Sequence, residues 1–178
     1  MKFHVLALAA TTALAMGAAH ADTIVLTGTL AATDPVFNRP FSLTTLSAVG
    51  TAVFYDAFSF IGVTPGPYSF TMSSPAGANT IETFLALYAG GFNPAAPLTN
   101  LVALNDDFTT GNFTLSGFSF TLNATSVYTI VSSSFGNGDV GSYTTTITSA
   151  IPEPESYALF AMGLIGMTAW MRKRGQQA

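Results

Sequence analysis

The stretch Gly117-Phe118-Ser119-Phe120-Thr121-Leu122, followed after Asn123-Ala124-Thr125 by Ser126-Val127-Tyr128-Thr129-Ile130-Val131-Ser132, decides the fold. In both runs apolar and small polar residues alternate with a period of two. Phe118, Phe120 and Leu122 therefore fall on one face, and Val127, Thr129 and Val131 on another. Aromatic and β-branched side chains at that period suit a pleated surface and predict strands rather than a helix. Working outward, the same texture predicts strands at 23–30, 41–46, 51–61, 68–72, 80–88, 98–104 and 142–148. Thr64-Pro65-Gly66-Pro67, Gly90-Gly91 and Gly136-Asn137-Gly138 supply turn chemistry between them. Short strands repeated at this spacing predict an all-β fold, an antiparallel β-sandwich. One segment reads two ways, because Ile81, Phe84, Leu85 and Tyr88 also fit one face of a short helix.

The sandwich is expected to occupy residues 22–149, between two terminal segments of different character. Residues 1–21 open with Met1-Lys2, run apolar from Val5 to Met16 and end on Ala19-His20-Ala21. That is the layout of a secretion signal helix, cut by signal peptidase before Asp22. Residues 150–178 contain Pro152-Glu153-Pro154, then fifteen uncharged residues from Tyr157 to Met171, then Arg172-Lys173-Arg174. Fifteen helical residues reach roughly 22 Å, short of the ~30 Å hydrocarbon core, so this transmembrane helix suits a transient anchor better than a permanent one. Tyr157 and Trp170 stand near its two ends, where aromatics settle at the membrane interface. The basic cluster stays on the cytoplasmic side, and the preceding domain then faces outward.

Charge distribution narrows the partners. Between Asp22 and Ala150 the only cation is Arg39, against seven carboxylates, a net of −6. Nucleic acid binding needs clustered Lys and Arg, and this region has none. The chain has no cysteine, so disulfides and thiolate metal sites are excluded and the core holds by packing.

The order Pro152-Glu153-Pro154, short apolar helix, basic stop resembles the PEP-CTERM sorting domain over about residues 150–174. The resemblance implies recognition by an exosortase, a membrane protease-transpeptidase. It also implies a Gram-negative bacterial protein exported across the inner membrane, briefly anchored, and then placed at the surface or in an extracellular matrix with exopolysaccharide and biofilm. A second string supports it. Phe54-Tyr55-Asp56-Ala57-Phe58 is similar to the motif of the FxDxF group of PEP-CTERM proteins, with Phe54, Asp56 and Phe58 as the motif residues. More loosely, residues 84–107 and 118–148 resemble the pre-peptidase C-terminal β-sandwich module, an accessory domain that implies no catalysis of its own. The matching parts include Leu87-Tyr88, Asn105-Asp106-Asp107 and Gly141-Ser142-Tyr143-Thr144.

Asp56 poses a physical problem of its own. Strand periodicity puts it on the face of Phe54, Phe58 and Phe60, and a carboxylate buried in a core must find hydrogen bonds or a cation. Arg39 is the one internal cation available. A structural polar anchor is the preferred reading; metal binding, catalysis and a bulge that turns Asp56 outward are the alternatives.

Both histidines lie in the signal segment, so residues 22–150 contain no His, Cys or Lys. Ser-His-Asp and Cys-His nucleophiles, Schiff-base lysines and His- or Cys-ligated zinc have no residues to be built from. Paired carboxylates remain, but none sits in a recognisable catalytic setting, and no enzymatic activity is expected. Asp106 and Asp107, adjacent on a turn, with Asp139 from the Gly136–Gly141 loop, form the candidate cation site. Its oxygen-only ligands would suit Ca²⁺. No other cofactor is expected. The expected function is a non-catalytic exported surface or matrix protein. The alternative is a carbohydrate-binding module or adhesin that uses exposed aromatics such as Tyr55, Tyr68 or Phe92.

Overall fold

The computed structural model describes residues 21–62, 65–77, 79–150, 163–165 and 167. Residues 1–20, Pro152-Glu153-Pro154, most of the apolar run and Arg172-Lys173-Arg174 lie outside the described residues; 163–165 and 167, within the run, are helical. Among the described residues no helix is long and apolar enough to cross a membrane.

Nine strands follow in order: β1 (Thr23–Leu30), β2 (Val36–Phe37), β3 (Val53–Ile61), β4 (Gly66–Ser73), β5 (Thr83–Ala89), β6 (Leu101–Asn105), β7 (Leu115–Leu122), β8 (Val127–Ser134) and β9 (Gly141–Ser149). They form two antiparallel sheets, one ordered β1-β9-β4-β7 and the other β2-β3-β8-β5-β6. The fold is an all-β sandwich. Its inter-sheet core holds Leu30, Phe70, Met72, Leu85, Leu87, Leu122, Ile130 and Ile147, with Phe118 and Phe120 packed against it. Each large apolar side chain withdrawn from water there contributes about 1.5–3 kcal/mol. At one seam β6 lies against β7, and at the other the edge strand β1 faces β3.

A second apolar cluster covers the outer face of the five-stranded sheet: Phe37, Val53, Phe84, Ala86, Tyr88, Leu101 and Val131. Strand β5 is therefore buried on both faces from Thr83 to Tyr88. This is why its sequence lacks alternation and also fits a helical face. Arg39 lies within this outer layer at 2% exposure. Its guanidinium carbon stands 5.1 Å from the Phe84 ring centroid and 3.9 Å from that of Phe135, and Nε donates to the Phe135 carbonyl at 2.8 Å. Aromatic faces thus replace the carboxylate partner that a buried cation usually needs. Burial lowers its pKa, while Asp106 and Glu82 favour its charged form.

Two expectations are corrected. Residues 41–46 form no strand. The N–H groups of Phe41 and Ser42 both donate to the Thr45 carbonyl, at 2.8 and 3.1 Å, and Thr44 N–H donates to Ser42 Oγ. These local bonds close a turn and compete with a ladder. Only Pro40 and Leu46 make an isolated bridge. The segment 80–88 contains no helix, and its strand begins at Thr83 rather than Thr80. The two-residue β2, pairing Val36 with Phe54 and Phe37 with Val53, is too short to show a period.

Candidate functional site

The β3–β8 ladder runs without a shift from Tyr55↔Ser133 to Ile61↔Val127, so no bulge turns Asp56 outward. Asp56 keeps the face it shares with Phe54, Phe58 and Phe60, as the period requires. That face is not uniformly core. Phe60 is buried in the inter-sheet cluster and Phe54 packs on it, whereas Asp56 is half-buried and Phe58 is 40% exposed. The difference follows from the open seam, where β1 leaves space over β3.

Asp56 finds its partner in the opposite sheet. Tyr143 on β9 reaches across the sandwich and its Oη donates to Asp56 Oδ2 at 2.6 Å, a short charge-assisted bond. Burial, reinforced by the bond to Asp56, pushes the phenol pKa up, so Tyr143 stays a neutral donor. Gly28 makes the reach possible. It is the ladder partner of Tyr143, and a Cβ placed there would stand 2.5 Å from Tyr143 Oη and 2.6 Å from the ring carbon bearing it. Beside this pair, Ser132 Oγ and Thr145 Oγ1 lie 2.8 Å apart. Asp56, Tyr143 and Ser132 border a cleft of about 520 Å³ whose rim includes Val25, 57% exposed, and Phe58. Among the described residues Asp56 makes no other side-chain hydrogen bond. Its second oxygen is not one of the buried, unsatisfied atoms and is therefore accessible to solvent.

Half-buried Asp56 is thus paired with a phenol, not with Arg39, which lies in the outer layer. Sequence reasoning assigned no role to Tyr143, Ser132 or Gly28. An isolated Gly inside Thr23–Leu30 was the available signal, because Gly in a strand marks a close approach. The aromatics expected to stack on sugars are otherwise engaged. Tyr68 is 6% exposed in the inter-sheet core, and Tyr55, Phe92 and Phe37 pack edge to face with centroids 5.1–5.3 Å apart.

The acidic residues gather at a different place. Asp106 and Asp107 follow β6, Asp139 follows β8 and Glu82 precedes β5. Asp106 Oδ1 accepts Asp107 N–H at 3.0 Å, and Asp139 Oδ2 accepts Gly136 N–H at 3.2 Å. Asp107 Oδ1 is buried without a hydrogen-bond partner among the described residues. Partial burial and, in order, the carboxylates of Asp107, Asp106 and Asp139 push Glu82 above its ordinary pKa. Among the described residues no three acidic or imidazole side chains stand together as a metal-holding group.

No curated protein matches the chain. Among solved structures it is similar to the pre-peptidase C-terminal domain of collagenase from Bacillus anthracis, with 13% identity, a TM-score of 0.44, and 70% of this chain and 88% of that one covered. It is also similar to the K1 cleaved adhesin domain of Lys-gingipain from Porphyromonas gingivalis W83, with 15% identity, a TM-score of 0.34, and 73% and 98% covered. Residues 150–174 match the PEP-CTERM protein-sorting motif, a signal that implies export and exosortase processing.

Proposed function

We propose that this chain is a non-catalytic surface or matrix protein. Signal peptidase frees it at Asp22, an exosortase-type membrane protease processes it near Pro152-Glu153-Pro154, and it is then retained with exopolysaccharide outside a Gram-negative cell. The observation that carries this reading is the sorting motif at residues 150–174 directly following the sandwich. The absence of His, Cys and Lys from residues 22–150 supports a non-catalytic role. The test is expression in an exosortase-bearing bacterium, followed by mass spectrometry of the protein recovered from outside the cells. Its first residue is expected to be Asp22, and Trp170 is expected to be missing. Substitution of Pro152-Glu153-Pro154 by alanines should leave an unprocessed, membrane-bound form. Cytosolic protein still carrying Trp170 would refute the proposal. A second reading, a carbohydrate-binding module or adhesin, is favoured by one observation, the polar cleft around Asp56 with a half-exposed ring on its rim.

A further inference from the structure

We propose that the cleft at the β1/β3 seam binds a neutral saccharide, with Asp56 accepting ligand hydroxyls and the Phe58 ring forming the wall on which a sugar ring lies. The proposal rests on the second reading above and names its site and ligand class.

The cleft has the volume of a small-ligand site, about 520 Å³, and opens to solvent. Its inner polar lining consists of the Asp56 carboxylate and the hydroxyls of Ser132 and Tyr143, while Thr27, which alternates with Gly28, borders it through its backbone. A carboxylate is acceptor-only, whereas hydroxyls both donate and accept. That set complements a ligand rich in hydroxyls. Tyr143 holds Asp56 Oδ2 at 2.6 Å and so fixes the carboxylate, whose other oxygen is accessible to solvent. A fixed acceptor loses little freedom when a ligand arrives, which is what makes a single hydrogen-bonding group selective. Phe58, 40% exposed, lies two residues along the same strand face and offers an apolar surface to the C–H face of a sugar ring.

Other ligand chemistries fit less well. A guanidinium pairs best with both oxygens of one carboxylate, and here one is already engaged by a neutral donor. An acidic saccharide would meet the Asp56 charge and a domain of net −6. A single carboxylate cannot hold a divalent cation, and Asp56 is the only acidic residue among those lining this cleft. Neutral saccharide is what remains.

The test uses the full chain in a non-glycosidic detergent, titrated with short neutral oligomers of glucose, galactose, mannose and N-acetylglucosamine. Calorimetry and amide chemical shifts are the readouts. At least one oligomer is expected to bind and to shift the amides of Val25, Thr27, Asp56 and Phe58. Asp56→Asn keeps an acceptor for Tyr143 but loses the charge, and should weaken binding about tenfold or more. Phe58→Ala should weaken it comparably, and Phe113→Ala, at a ring 54% exposed elsewhere, should not. If Asp56→Asn fails to fold, Phe58→Ala and Tyr143→Phe carry the same comparison. No binding by any oligomer, binding unchanged in these variants, or shifts of the same amides by tetra-arginine instead would overturn the proposal. Terminal masses of the exported protein test the surface-protein reading separately, so either can fail while the other stands.

Discussion

The two seams of the sandwich solve one problem in opposite ways. At the β6/β7 seam the sheets are stitched shut: Asn105 Oδ1 accepts the N–H of Gly117 at 2.9 Å, and Ser116 Oγ lies 2.6 Å from Thr83 Oγ1. The Phe108 ring lies against Gly117, where a Cβ would stand 2.8 Å from both that ring and the Phe70 carbonyl. At the β1/β3 seam the sheets are also bridged, by Tyr143–Asp56 and Ser132–Thr145, but space remains beside the bridges. Polar contacts between sheets are thus common to both ends. What distinguishes a site from a closure is the volume left over and the group that borders it.

Glycine substitutions break the comparison most sharply. Gly117→Ala drives a methyl into the Phe70 carbonyl, a backbone atom that cannot swing away, and should cost about 3 kcal/mol. Gly28→Ala meets only the Tyr143 side chain and no backbone. It should cost about 1 kcal/mol through the lost bond to Asp56 while abolishing saccharide binding. Urea unfolding of both variants measures the gap, and equal losses would mean that the β1/β3 seam is as tightly packed as its opposite.

Hydrogen bonds give a smaller contrast. Asn105→Ala leaves the buried Gly117 N–H without an acceptor and should cost about 2 kcal/mol. Tyr143→Phe leaves Asp56 half-exposed beside the cleft, where water replaces the phenol, and should cost about 1 kcal/mol or less. A larger loss for Tyr143→Phe than for Asn105→Ala would reverse the assignment of which seam carries stability.

The seams also differ in how far sequence could reveal them. Strand β1 was legible to the residue, because Thr23–Leu30 alternates cleanly with one face on the core. The position of Asp56 on the Phe face was legible for the same reason. Its partner was not, since Tyr143 lies 87 residues away and periodicity carries no information about which side chains cross between sheets. Arg39 was singled out for its charge, and its burial under Phe84 and Phe135 depends on how a loop folds over β5. The strand expected at 41–46 failed because its Ser and Thr hydroxyls and carbonyls are satisfied locally, a competition that composition alone does not resolve.

The acidic end near the closed seam gives a pH-dependent test of a few tenths of a kcal/mol. Glu82 has a folded pKa raised above its ordinary 4.5, so the folded state holds that proton more tightly than the unfolded chain does. The ionised group therefore costs stability at neutral pH, and the cost disappears as pH falls through the raised value and below 4.5. Glu82→Gln should raise the melting temperature by about 1–2 °C at pH 7 and leave it unchanged at pH 4. A gain that persists at pH 4 would mean that packing, not charge, is responsible.

Calcium should have an equally small effect, because Asp106, Asp107 and Asp139 do not stand together as a preformed cage. Yet Asp107 Oδ1 is buried and unpartnered, and its neighbours repel Glu82, so a cation would relieve two costs at once. At a concentration equal to its Kd, Ca²⁺ stabilises by RT ln 2, about 0.4 kcal/mol. For a domain of this size that is a shift of about 1–2 °C. The shift should saturate, exceed that from K⁺ at matched ionic strength, and vanish in Asp107→Asn. Equal shifts from both salts would reduce the three carboxylates to a solvated turn and leave the β1/β3 cleft as the molecule's sole candidate site among the described residues.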